Sequence, residues 1–201
     1  RIDDGAWVDI PNRVSSTWNT TAHTDGAHTI TVRATDAIGH VETSRVDIFV
    51  DNHDPVCVIN TPVNNQFVER TVAFQVSAGD EVGISQVTMT IVNTTIDNVS
   101  IAYNSQSGYY EYILLSTTIP DGDYTVLAWA HDSAGRTTMA SSLGFRVDNN
   151  PSVLIVEYPL EGEYVSDSIL IDAAATDKFL DRLEYNIDGS GWANISATWN
   201  T

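Results

Sequence analysis

Cysteine is nearly missing from this sequence. Cys57 is the one thiol in 201 residues, which excludes a disulfide within the chain and a multi-cysteine zinc site. Its flanks, Val56, Val58 and Ile59, read as a strand, so it is expected as a buried small apolar residue. Basic residues are scarce as well. Lys178 is the only lysine, and Lys plus Arg number 9 against 27 Asp plus Glu, for a formal charge of -18. So acidic a surface repels nucleic acid and anionic lipid, and neither is expected as a partner. No apolar run approaches the ~18 residues needed to cross a bilayer, so no membrane span is expected. No charged-then-apolar leader opens the chain, and residue 1 falls in mid-pattern, so a leader or anchor is expected outside these residues.

Signatures of catalysis are missing too. The chain has no Gly-x-Ser-x-Gly elbow, no phosphate-cradling glycine loop and no His-Glu-x-x-His. His23, His28, His40, His53 and His131 fall in turns or at strand edges without zinc spacing, which points to structural or solvated roles. Paired carboxylates are frequent, but so many acids generate pairs by chance, and no glycosidase-like dyad can be read from them. The expected class is non-enzymatic.

What is present is enough apolar material for packed cores, 42% of residues. Three readings of the acidity stay open: a surface kept hydrated by like charge, adaptation to salty surroundings, and Ca²⁺ binding by clustered carboxylates.

An internal repeat organises the chain. Asp25-Gly26 recurs 96 residues on as Asp121-Gly122, and Thr35-Asp36-Ala37-Ile38-Gly39 recurs as His131-Asp132-Ser133-Ala134-Gly135. Val50-Asp51-Asn52 returns 97 residues on as Val147-Asp148-Asn149, and Pro62 and Asp80 return as Pro159 and Asp177. The two ends match as well: Ile2-Asp3 with Trp7 pairs with Ile187-Asp188 and Trp192, and Thr17-Trp18-Asn19-Thr20 pairs with Thr198-Trp199-Asn200-Thr201. Each Val-Asp-Asn stands just before a proline, Pro55 or Pro151, and marks a linker. The expected division is therefore 1–52, the C-terminal half of a domain; 53–149, a complete domain; and 150–201, the N-terminal half of a third.

Within each repeat the pattern has period two. Ile30, Val32 and Ala34 alternate with polar neighbours, as do their counterparts Val126, Ala128 and Ala130; Val46, Ile48 and Val50 correspond to Leu143, Phe145 and Val147. Phe74, Val76 and Ala78 match Ile171, Ala173 and Ala175, and Val87, Met89 and Ile91 match Leu183, Tyr185 and Ile187. Glycine turns separate these runs, and no helix of useful length is expected; Asp177 to Arg182 allows one turn. The fold class is all-β, with strands packed as sandwiches.

Asp-Gly before an alternating strand, then Asp-x-x-Gly, then Val-Asp-Asn before Pro resembles the Ig-like repeats of bacterial and archaeal surface proteins. The Ile-Asp-x-x-x-Trp hairpins are similar to the same group, and Ile119 to Val126 resembles the corner before strand F of fibronectin type III domains. The repeat length also suits such a sandwich, at about 100 residues. The resemblance implies tandem immunoglobulin-like β-sandwich domains strung into stalks, surface layers, adhesins or filaments, extracellular or on a cell surface, with no catalytic residues. The middle domain departs from it, with Asn93 to Gln106 in place of the hairpin tryptophan.

Asn-x-Ser/Thr sequons at Asn19, Asn93, Asn98 and Asn194 are near the number chance supplies, yet all fall in expected hairpins or loops and are candidate glycosylation sites. Asp51, Asp54, Asp80 and Glu81, joined by Asp36, are expected to converge at the first linker as a Ca²⁺ site, an arrangement resembling cadherin linkers. Asp132, Asp148 and Asp177 are assigned to the second linker, where Lys178 replaces Glu81. The alternative is that these aspartates cap turns. On the strand after Asp121-Gly122, Tyr124, Val126, Ala128 and Ala130 are expected inward, leaving Leu127 and Trp129 outward as a contact patch or as a surface under the longer insertion.

Two functions fit. One is a structural module of an extracellular polymer, whose partners are copies of itself or neighbouring Ig-like domains. The other is an adhesin-type module recognising a glycan or a surface protein. Neither end segment alone closes two sheets, so a longer chain or strand complementation between molecules is expected to complete them, head to tail, as a filament.

Overall fold

The structure, a computed structural model, describes residues 1–10 and 15–195. The repeated Thr198-Trp199-Asn200-Thr201 lies outside the described residues. Strands carry the whole architecture; among the described residues the only helical elements are two 3-10 turns, Thr20–Ala22 and Ser116–Thr118, and Lys178-Phe179 forms only a turn.

The first strands, β1 (Gly26–Thr35) and β2 (Val41–Val50), form an antiparallel pair in full register from Gly26↔Val50 to Thr35↔Val41. Nine strands follow between Val56 and Val147: β3 (Val56–Thr61), β4 (Gln66–Val68), β5 (Thr71–Gly79), β6 (Ile84–Ile91), β7 (Val99–Asn104), β8 (Tyr109–Leu115), β9 (Gly122–Asp132), β10 (Thr137–Met139) and β11 (Leu143–Val147). They join in the order β3-β5-β8-β7-β6-β9-β11-β4, with β10 beside β9. This path curls into two facing layers because two segments change partners. β3 pairs with β5 in one layer while β4 pairs in parallel with β11 in the other, and β7 bonds β6 at Ile101↔Val87 and β8 at Ala102↔Glu111. Beyond Val147 lie β12 (Val153–Tyr158) with β13 (Asp172–Thr176), then the short pair β14 (Glu184–Tyr185) and β15 (Ala193–Asn194).

The core lies between the two layers of β3 to β11. Phe74, Val76, Val87, Met89, Ile91, Val126, Ala128, Ala130 and Val147 are fully buried there, and Phe145 nearly so. Period-two alternation places them all on inward faces. The Asn93 to Gln106 insertion is more than an expected loop. It contributes β7 and sends Ile96 and Ile101 into this core, which explains why the middle repeat can dispense with a hairpin tryptophan. The flanking pairs have no second layer among the described residues: Phe49 is 74% exposed, and Val153 to Val156 are all exposed.

The repeat recurs in the backbone as well as in the letters. Asp3 and Asp188 share the same left-handed φ of 48°, and both turn through a matching bond, Gly5 N–H to the Ile2 carbonyl and Ser190 N–H to the Ile187 carbonyl. Asp36 Oδ1 accepts from the amides of Ile38 and His40, as Asp132 Oδ1 accepts from those of Ala134 and Arg136.

Candidate metal centre at an acidic junction

The stretch from Asp51 to Pro55 leads from β2 into β3, and that from Asp148 to Ser152 leads from β11 into β12. At both junctions an asparagine ties the departing chain down. Asn52 donates its amide N–H to Asp25 Oδ1 and its side-chain amide to the Thr20 carbonyl, while Thr20 Oγ1 donates to Asn52 Oδ1 at 3.1 Å. Asn149 does the same with Asp121 Oδ1 and the Ser116 carbonyl, and Ser116 Oγ donates to Asn149 Oδ1 at 2.6 Å. The residue after each asparagine adds a bond to the same aspartate: His53 Nδ1 lies 2.6 Å from Asp25 Oδ2, and Asn150 Nδ2 donates to Asp121 Oδ2 at 2.6 Å. The Asp-Gly and Val-Asp-Asn motifs are thus two halves of one lock, a link their spacing does not reveal. Thr20 and Ser116 complete it, and their position in the same repeat phase was the available signal.

Beside the first lock the structure gathers carboxylates. Single oxygens of Asp51, Asp80 and Asp132 lie within 4.8 Å of one another, and ligand atoms of Asp25, His53 and Glu81 form a second group of the same compactness. These are two candidate metal-binding clusters. In the first, each loop aspartate spends one oxygen on its own turn: Asp80 Oδ1 accepts from the amides of Val82 and Gly83, and Asp132 Oδ1 from Ala134 and Arg136. Asp132 is only 2% exposed, and its Oδ2 is buried without a partner; both carboxylate oxygens of Asp51 are likewise buried and unpartnered. Burial, with Asp80, Asp132 and Asp25 nearby, pushes the Asp51 carboxyl above the usual carboxylate range, and the Arg136 guanidinium offsets this only in part. Burial alone would also raise Asp25, but the bonds from His53 and Asn52 win and hold it low. In return, the hydrogen bond and charge of Asp25 raise His53.

Two sequence assignments are corrected by strand length. Asp36 follows the far end of β1, ten residues from the junction, so roughly 33 Å of strand separates it from Asp51. It caps its own turn and pairs with His40 at 3.0 Å. For the same reason Asp132, at the far end of β9, belongs to the first junction and not to the second. Asp54 stands apart as well, turned to Arg136 at 3.2 Å. Of the five residues expected there, Asp51 and Asp80 come together in one cluster and Glu81 enters the other.

The second junction uses apolar contact. Phe67 and Phe179 meet edge to face at 5.2 Å, with Arg146 over both rings and bonded to Asp123. Asp148 is raised by burial and by Asp177, Asp121 and Glu69, repeating the Asp51 pattern. The remaining candidates fall elsewhere. Leu127 and Trp129 are half-buried on the outer face of β9, whose inner face carries Val126, Ala128 and Ala130. Asn19, Asn93, Asn98 and Asn194 are all exposed, Asn93 and Asn98 at left-handed turn positions.

Residues 55–128 match a protein family described as "Bacterial Ig domain". No curated protein matches the chain. Among solved structures, the endo-beta-1,4-mannanase from Thermotoga petrophila aligns at 21% identity and a TM-score of 0.41, over 50% of this chain and 21% of that one. The fibronectin(III)-like modules of Clostridium thermocellum CbhA align at 18% and 0.37, over 46% of this chain and 94% of theirs. A protocadherin gammaB7 EC3-6 structure aligns at 20% and 0.32, over 73% and 38%. The chain thus spans about a fifth of the mannanase it matches. It contains an all-β sandwich distantly related to Ig-like domains.

Proposed function

We propose that this chain is a non-catalytic structural module of an extracellular polymer, in which Ig-like units 1–52, 53–149 and 150–201 follow one another head to tail. The observation that carries this reading is the duplicated lock. Asp25, Asn52 and Thr20 at one junction and Asp121, Asn149 and Ser116 at the next fix the chain's exit from its sheet in the same way. A lock repeated in phase gives each unit the same relation to its linker, as a stalk, sheath, layer or filament requires. The exposed apolar faces of β2 and β12 suit coverage by further units, from the same chain or from a copy. Calcium is the ion this reading gives the acidic junction, and glycan at the exposed sequons suits an extracellular surface.

Electron microscopy of the native assembly tests the reading. The expected image is an extended fibre with an axial repeat of about two sandwich lengths; particles without axial order would refute it. Sizing after boiling in denaturant then separates a continuous polypeptide from complementation, which would leave a band near 22.0 kDa. A second reading, adhesion, draws on Trp192, which is 72% exposed. Specific glycan binding that is lost in Trp192→Ala, without any fibre, would favour it.

A further inference from the structure

We infer that Asp51, Asp80 and Asp132 form a specific Ca²⁺ site that bridges the first junction. The three carboxylates come from three separate places: the linker after β2, the turn after β5 and the last residue of β9. Their facing oxygens lie within 4.8 Å of one another, so a central point is at most about 2.8 Å from each, a few tenths of an ångström beyond the Ca–O range of about 2.3–2.6 Å and closed by small side-chain rotations. The turn-capping alternative accounts for one oxygen of Asp80 and one of Asp132 and leaves the others over. Asp132 is buried with its Oδ2 unpartnered, and Asp51 has two such oxygens. Buried carboxylate oxygens left without a hydrogen-bond donor are costly, and an ion completes them.

The surrounding charge points the same way. Asp25, Asp54 and Glu81 add negative charge, and His53 is committed to Asp25 and Arg136 to Asp54. An all-oxygen donor set without thiol or imidazole selects a hard cation over zinc or copper. Turn and linker carboxylates, able to adjust, suit Ca²⁺ better than Mg²⁺, which demands short and near-ideal octahedral bonds. At the second junction Asp148 and Asp177 stand where Asp51 and Asp80 do, Lys178 occupies the position of Glu81, and Phe67 packs on Phe179.

The inference rests on the end-to-end reading only for what the ion does, since binding itself is measurable on the isolated chain whether or not fibres form. The test is calorimetric titration of the chelator-stripped 201-residue chain with Ca²⁺ at physiological ionic strength, where diffuse counter-ion attraction is screened. Asp51→Asn and Asp132→Asn should each weaken binding on the order of tenfold or more, while Asp148→Asn, which removes the same charge, should stay within about twofold. Melting supplies a second readout. Asp51→Asn should melt no lower than the parent in chelator, because it removes a buried unpaired charge, and it should lose the rise in Tm that Ca²⁺ gives the parent. Equal weakening by all three substitutions, or no saturable binding up to millimolar Ca²⁺, would overturn the site.

Discussion

His28 shows how one side chain can keep a role under different chemistry. Its repeat partner is Tyr124, whose hydroxyl donates to the Pro120 carbonyl at 2.8 Å; His28 Nε2 reaches the corresponding Thr24 carbonyl at 2.7 Å. Nδ1 meets the Asp3 carboxylate, also at 2.7 Å. A carbonyl and a carboxylate only accept, so the two contacts together favour the ring that carries both protons. The bond to Thr24 and then the pairing with Asp3 raise its pKa against the opposing effect of burial. NMR titration should therefore find His28 above the ordinary value of about 6.5. Because the folded pKa is raised, this contribution to stability is complete below the unfolded value and is lost as pH rises through the folded one. Asn149 makes a second prediction at this scale. It serves Asp121, Ser116 and, through Oδ1, the Arg70 amide, so Asn149→Ala should cost about 1–3 kcal/mol in urea unfolding. An unchanged midpoint would mean that the lock is idle. Spacing in the sequence revealed that His28 and Tyr124 are counterparts, but not what each touches, because a hydrogen bond to a turn carbonyl leaves no periodic trace.

Among the strands, alternation carried most of the information. It separated buried Val126, Ala128 and Ala130 from outward Leu127 and Trp129, since a strand with one buried face has one available register. Trp129→Thr should accordingly leave the near-ultraviolet dichroism of the core aromatics and the cooperative unfolding intact; a molten variant would show that the outer face is structural. The insertion was not legible in this way. β7 is buried at Ile101 alone, among half-buried or exposed neighbours, because it passes from one layer to the other and never faces a single core. Ile101→Ala should cost about 2–5 kcal/mol, the range for a core isoleucine, whereas a decorative loop would lose almost nothing. The acidic motifs were recognisable as residues and misplaced as positions. Asp36 and Asp132 each precede a linker in the sequence, yet a strand of ten or eleven residues carries each to the opposite end of its unit.

Over the whole molecule, the titrating groups define one pH window. His28, His53, Asp51 and Asp148 are all raised, so each contributes less to stability as pH climbs through its folded value. Hydrogen bonds hold Asp3, Asp36, Asp47, Glu111 and Asp121 low, and their contribution is lost as pH falls through the folded values. In chelator the chain should melt highest between about pH 4 and 6.5, and lower at pH 8. Added Ca²⁺ should shift that optimum upward by stabilising ionised Asp51; an optimum at pH 8 without calcium would contradict these assignments. The duplicated lock makes a simpler demand, that consecutive units stand in a row. Small-angle scattering of the 201-residue chain measures this directly. A single compact body of this length has a radius of gyration of about 17 Å. Units in a row give a value well above that, with a long-tailed distance distribution that sharpens in Ca²⁺; a value near 17 Å with a symmetric distribution would rule the row out.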